Sequence, residues 1–251
     1  MPQVRSIARD GRWRLAPSLL LLLCGCGRMA RTENAEGVKL YQQGNYLGAV
    51  NSFQSALARQ PGNADCFYNL GATYHQQAKV FGRPADMQTA EQYYHLCLAR
   101  NPDHEACRRA LAVLLVEEDR GAEATAQLTA WAQSQPSNPA PHVELARLAQ
   151  EQGRLREAEN QLVDALAIDP NNPRALVALG SLREASGDQS QALANYQRAL
   201  AIDPAQPTVA GKLASLQASQ AGGYRTAAVP TAAAYPPSAL QPQAPTGNTA
   251  R

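Results

Sequence analysis

This chain of 251 residues lacks most of the signatures that mark catalysis. No glycine-rich phosphate loop, no His-Glu-x-x-His, no Gly-x-Ser-x-Gly and no Cys-x-x-Cys occurs, which removes the usual nucleotide, zinc-protease, serine-hydrolase and dithiol chemistries. Its 23 basic and 21 acidic residues nearly balance, and past the first 25 residues there is no Lys/Arg run with interleaved aromatics. Nucleic acid, whose phosphates demand a basic stripe, is therefore not an expected partner. No apolar run reaches the ~20 residues a membrane-spanning helix needs. Adjacent acids at Glu117-Glu118-Asp119 read as a solvated helix end rather than an acid/base pair. The soft ligands His95, Cys97, His104 and Cys107 read poorly as a metal site, since His95 and Cys97, two apart on a helix, point to different faces. No cofactor, metal or small-molecule substrate is expected.

What the chain does have is repetition. Two blocks between Pro139 and Gln206, laid over each other at a ~34-residue offset, repeat the same choices in the same order. The first runs Leu145-Ala146, Gly153, Ala158, Leu162, Ala165 and Asp169-Pro170; the second runs Leu179-Gly180, Gly187, Ala192, Tyr196, Ala199 and Asp203-Pro204. Apolar residues at helical spacing lead up to each glycine and again up to each proline, so each block holds two amphipathic helices. One such pair cannot bury both faces, and stacking on its neighbours must supply the core.

These residues resemble the tetratricopeptide repeat, whose pattern is an aromatic, Leu-Gly, Tyr, Ala, an aromatic, Ala and Pro. Phasing outward from the terminal prolines gives five copies: 30–63, 64–104, 105–138, 139–172 and 173–206. The second holds the clearest first helix, Phe67 to Tyr74 with Leu70-Gly71 inside it. In the first, Glu33, Glu36 and Gly37 stand where the pattern has Trp-Leu-Gly, which reads as a degenerate terminal copy. The third has Trp131 in place of a small residue and no glycine at its turn, as a repacked copy would. The second exceeds its neighbours by about seven residues, placed within 78–89, where Gly82 and Pro84 predict a lengthened loop projecting from one edge. Residues 207–220 read as a capping helix and 221–251, rich in Pro and Ala, as a disordered tail. The resemblance implies an all-α, right-handed superhelical solenoid.

Ahead of the repeats, Arg5, Arg9, Arg12 and Arg14 precede an apolar stretch at 15–23 that suits a secretory leader. Leu23, Gly25 and Cys26 then resemble the bacterial lipobox, which implies cleavage after residue 25 and lipidation of Cys26. The expected product is anchored to the membrane of a bacterial cell envelope and faces the periplasm, on the outer membrane if the host has two. Residues 26–29 would form a tether holding the repeats within about 15 Å of the headgroups at ~3.5 Å per extended residue. Cys97 and Cys107 flank Pro102 at the apex of a helix hairpin, and two readings stand for them: a disulfide across the hairpin, or two packed thiols.

In this repeat family the first helix of each pair lines a concave groove. Carried over copy by copy, that implies a partner-binding groove at Tyr68, Asn69, His75, Arg109, Val113, Glu144 and Arg147, with Tyr68 and His75 as its aromatic anchors. Of the clamp with which chaperone-binding relatives grip a terminal carboxylate, only Asn69 is present. The expected function is a protein-binding scaffold without catalysis, similar to the lipoproteins that assemble tight-adherence (Flp) pili and to type IV pilus pilotins. An envelope adaptor for peptidoglycan enzymes, or an accessory subunit of an enzyme, is the alternative.

Overall fold

The computed structural model describes the backbone of residues 18–221 and the side chains of 29–219; the start of the expected leader, the side chain of Cys26 and the expected tail from 222 lie outside the described residues. The described chain is all helix. Five antiparallel pairs follow one another: α1 (Ser18–Gln42) with α2 (Tyr46–Arg59), α3 (Ala64–Phe81) with α4 (Pro84–Arg100), α5 (Glu105–Glu117) with α6 (Gly121–Ser134), α7 (Ala140–Glu151) with α8 (Leu155–Ile168), and α9 (Pro173–Ala185) with α10 (Gln189–Ile202). A last helix, α11 (Pro207–Ala221), packs on α10. Each helix packs chiefly on its neighbours in sequence, the contact pattern of a solenoid.

Local chemistry sets the helix ends. Asn45, Asn63, His104, Asn172 and Asp188 each accept a hydrogen bond at their side chains from the backbone amide three residues on, satisfying one orphan donor of α2, α3, α5, α9 and α10. The turns within pairs need one residue of positive φ. Gly44, Gly153 and Gly187 supply it, and in the third pair, which has no glycine there, Asp119 takes φ 60° instead.

The pairs are closed by a recurring exchange of volume. The ring of Phe53 lies against Gly37, that of Tyr94 against Gly71 and that of Tyr196 against Gly180, so close that a Cβ on each glycine would sit 2.5, 2.6 and 2.7 Å from the ring carbons. At the same places in the third and fourth pairs stand Ala112 with Leu128 and Ala146 with Leu162, all buried. A smaller second-helix side chain leaves room for the methyl that the rings exclude. Trp131 is buried, with its indole donating to Gln135 Oε1 at 2.9 Å and the Arg108 guanidinium 5.5 Å above its ring.

Two expectations are corrected. The surplus in the second pair is helix, not loop: α3 and α4 run 18 and 17 residues and only Gly82 and Arg83 join them. Gly82 closes α3 in the left-handed conformation, and Pro84 sits at the first turn of α4, where its missing amide costs nothing. The four residues after Cys26 are not an extended tether, since α1 runs unbroken through them into the first pair. Among the described residues no helix is long and apolar enough to cross a membrane.

Candidate functional site

The first helices of successive pairs place the sequence-derived groove residues in two different environments. Around α3 they are internal. Tyr68, Asn69 and His75 are buried, at 3%, 0% and 0% exposure. Tyr68 stacks obliquely between Tyr94 and His104, with centroids 6.3 and 5.2 Å away. The Asn69 amide donates to Asn34 Oδ1 at 2.9 Å. His75 lies with Nδ1 3.4 Å from the Tyr94 hydroxyl and Nε2 2.7 Å from Glu117 Oε2, and Lys79 Nζ donates to the other oxygen of that carboxylate at 2.7 Å. Burial pushes the Glu117 carboxyl up, but the hydrogen bonds from His75 and Lys79 outweigh it and hold it down to about 2. Tyr68 and His75 are thus held within the solenoid's own core, in contact with α4 and α5, and not presented on an open face.

Around α5, α7 and α9 the groove residues are polar, with the Arg109, Arg147 and Arg174 side chains half-buried. Glu144 is buried at 1% exposure, and three arginines from three helices converge on it. Arg109 Nε faces its Oε1 at 2.9 Å, without the alignment of a hydrogen bond. Arg147 Nε donates to Oε2 at 3.2 Å, and Arg174 donates to Oε1. Burial alone would raise the Glu144 carboxyl; the attraction of Arg174, Arg109 and Arg147 outweighs it and holds the group ionised below the ordinary carboxylate range. Arg147 also reaches Glu151, yet its Nη2 is buried with no acceptor. Three guanidiniums thus converge on Glu144, with Arg147 Nη2 left without an acceptor, and Val113 is half-buried on α5, one turn from Arg109. Such a cluster is built to receive an anionic group.

The sequence picked out Glu144, Arg147 and Arg109 but missed Arg174. The signal was its place, second residue of α9, from which a long side chain reaches the preceding first helix. Glu144 enters as the hub of the arginines rather than as a surface group.

The three described cysteines, Cys66, Cys97 and Cys107, are structural. Cys97 and Cys107 meet across the hairpin as two buried thiols and not as a disulfide; Cys107 Sγ donates to the Tyr94 carbonyl at 3.2 Å. Burial and the neighbouring Cys97 push the Cys107 thiol far up, and burial with Asp65 and Glu33 nearby pushes Cys66 up to about 12, so neither is a ready nucleophile. His104 caps α5 and contacts Asp65, and among the described residues no group of His, Cys, Asp or Glu is arranged to hold a metal.

Two stretches match family models: residues 37–77 match a model described as TPR repeat, and 143–207 one described as Tetratricopeptide repeat. Among solved structures the fold is similar to TTC0263, a thermophilic TPR protein of Thermus thermophilus, at 25% identity and a TM-score of 0.57 over 75% of this chain and 99% of that one. It is also similar to pilF of Pseudomonas aeruginosa, at 16% identity and 0.54 over 78% and 90%, and to PilW, a type IV pilus biogenesis factor, at 19% and 0.52 over 75% and 86%. A comparison with curated proteins finds no match.

Proposed function

Because the chain is a tetratricopeptide repeat protein, we propose that it is a lipid-anchored scaffold of the bacterial cell envelope whose groove, at Arg109, Val113, Arg147 and Arg174, receives an acidic segment of a partner protein. A repeat solenoid of this kind serves protein–protein interaction, and the observation that carries the finer reading is the buried, acceptor-less Nη2 of Arg147 where three guanidiniums converge on Glu144. A carboxylate from the partner would accept from that donor. The membrane anchor rests on the lipobox at Leu23, Gly25 and Cys26.

Within that reading, assembly of a pilus or its secretin is the process we favour. The arrangement of leader, lipidated cysteine and repeats supports it, while the likeness to PilW contributes the fold alone. Recruitment of peptidoglycan enzymes is the second reading, and no observation prefers it.

The test is crosslinking in intact cells of the chain tagged after Arg251, with mass spectrometry of the recovered species and fractionation of the Cys26→Ser variant. A secretin or pilus-assembly component among the adducts, together with loss of lipid modification in the variant, supports the proposal. Cell-wall enzymes in their place, or unchanged mass and membrane extraction of Cys26→Ser, contradict it.

A further inference from the structure

A second recessed surface lies away from the arginine groove. Where the α1–α2 turn meets the end of α3 and the start of α4, a cleft of about 450 Å³ opens. Its size falls within the ~300–1,000 Å³ of sites that take small groups. Its rim is apolar and exposed, with Leu47 at 71% and Phe81 at 54%. Tyr46 stands edge-on to Phe81 with centroids 6.1 Å apart, and Tyr74 closes another side. The buried Val50 and Gln77 line it more deeply. This is where the lengthened α3–α4 hairpin places its extra turns.

Aromatic walls alone do not name an occupant; Asp86 does. It lines the cleft from the first turn of α4, and its Oδ2 is shielded from water with no donor. A carboxylate oxygen left so is costly unless a cation reaches it. Arg83, three residues earlier, makes no ion pair with it and instead stacks its guanidinium 5.2 Å over the ring of Phe81. The cleft thus shows both halves of a guanidinium site: a ring that already accepts one, and a buried carboxylate still waiting for a donor. Planar, weakly hydrated guanidinium suits an aromatic cleft better than a strongly hydrated ammonium.

We propose that this cleft binds an arginine side chain presented by a partner polypeptide, its stem against Tyr46, Tyr74 and Phe81 and its guanidinium donating to Asp86. The scaffold then carries two sites of opposite preference: an anion-seeking groove on α5, α7 and α9 and a cation-seeking cleft at the N-terminal edge.

The experiment titrates the full chain with capped Ala-Arg-Ala and, separately, with the citrulline peptide that keeps its shape without the charge, following backbone amides by NMR. Saturable shifts confined to the amides around Gly44, Leu47, Phe81 and Asp86, at least tenfold weaker for citrulline and for the Asp86→Asn variant, are expected. Equal response to the two peptides, shifts centred on α7, or no shift at either peptide overturns the proposal. The citrulline comparison is made on the unaltered chain, so an Asp86→Asn protein that fails to fold does not rescue it.

Discussion

Three helix pairs of this solenoid close with a glycine on the first helix and an aromatic ring on the second; the two between them, α5–α6 and α7–α8, close with alanine and leucine. The backbone arrangement is the same, so the repeat prescribes a volume shared between two positions and not the residues that fill it. The rings, however, bring something that leucine does not. The Tyr94 hydroxyl meets His75 and through it Glu117, and the Tyr196 hydroxyl donates to Glu184 and lies 3.0 Å from the Ser181 hydroxyl. The tyrosine pairs are wired internally by polar contacts. Arg109 and Arg147 stand on the first helices of the two leucine pairs, and the candidate groove runs from them onto α9 of the last tyrosine pair through Arg174.

Tyr94→Ala would break the comparison hardest. It empties a fully buried site against Gly71 and should cost about 3–5 kcal/mol, measured by chemical denaturation, more than Leu162→Ala at the equivalent place. Gly71→Ala pushes a methyl to 2.6 Å from the same ring and should cost about 1–3 kcal/mol. Joined with Tyr94→Leu it recreates the α7–α8 arrangement, so the double variant should be more stable than the sum of the singles by at least about 1 kcal/mol; additivity would show that the two positions do not share volume.

Glu117→Gln sharpens the second half of the comparison, the wiring. The Glu117 carboxyl is depressed to about 2 from an ordinary 4.5, so its contribution is present above the unfolded value and is lost as the pH falls from about 5 towards 2. Discounted for partial exposure, it is on the order of 1–2 kcal/mol. The gap in stability between the parent and Glu117→Gln should be open at pH 7 and close on acidification; a gap that does not change with pH contradicts the assignment. Smallest is Asp119→Gly, which relieves the one non-glycine residue held at positive φ among those described and should stabilise by about 0.5–1 kcal/mol in the same denaturation assay.

The helix pairs were legible because proline, glycine and small residues recur at one period, and that recurrence follows from packing. The second pair misled for a local reason. Gly82 and Pro84 usually break helices, but here they occupy a C-cap and a first turn, positions where each is favoured, so a presumed loop became added helix. Tyr68 lies at a register that is buried in an ordinary copy too, as its counterpart Val143 in α7 shows at 3% exposure, and His75 faces Tyr94 of α4 and Glu117 of α5. Arg174 and the Asp86 cleft were hidden for another reason: each depends on side chains brought together from different helix pairs, which no period reports.

The most direct test of the account is site-specific photocrosslinking in cells from Val113, beside the arginines, against Val163, exposed on the outer helix α8. A discrete adduct from Val113 that disappears when Arg147→Glu reverses the charge is expected, and none from Val163. An adduct that survives Arg147→Glu, or one that forms from Val163 alone, would contradict it and move the partner off the groove.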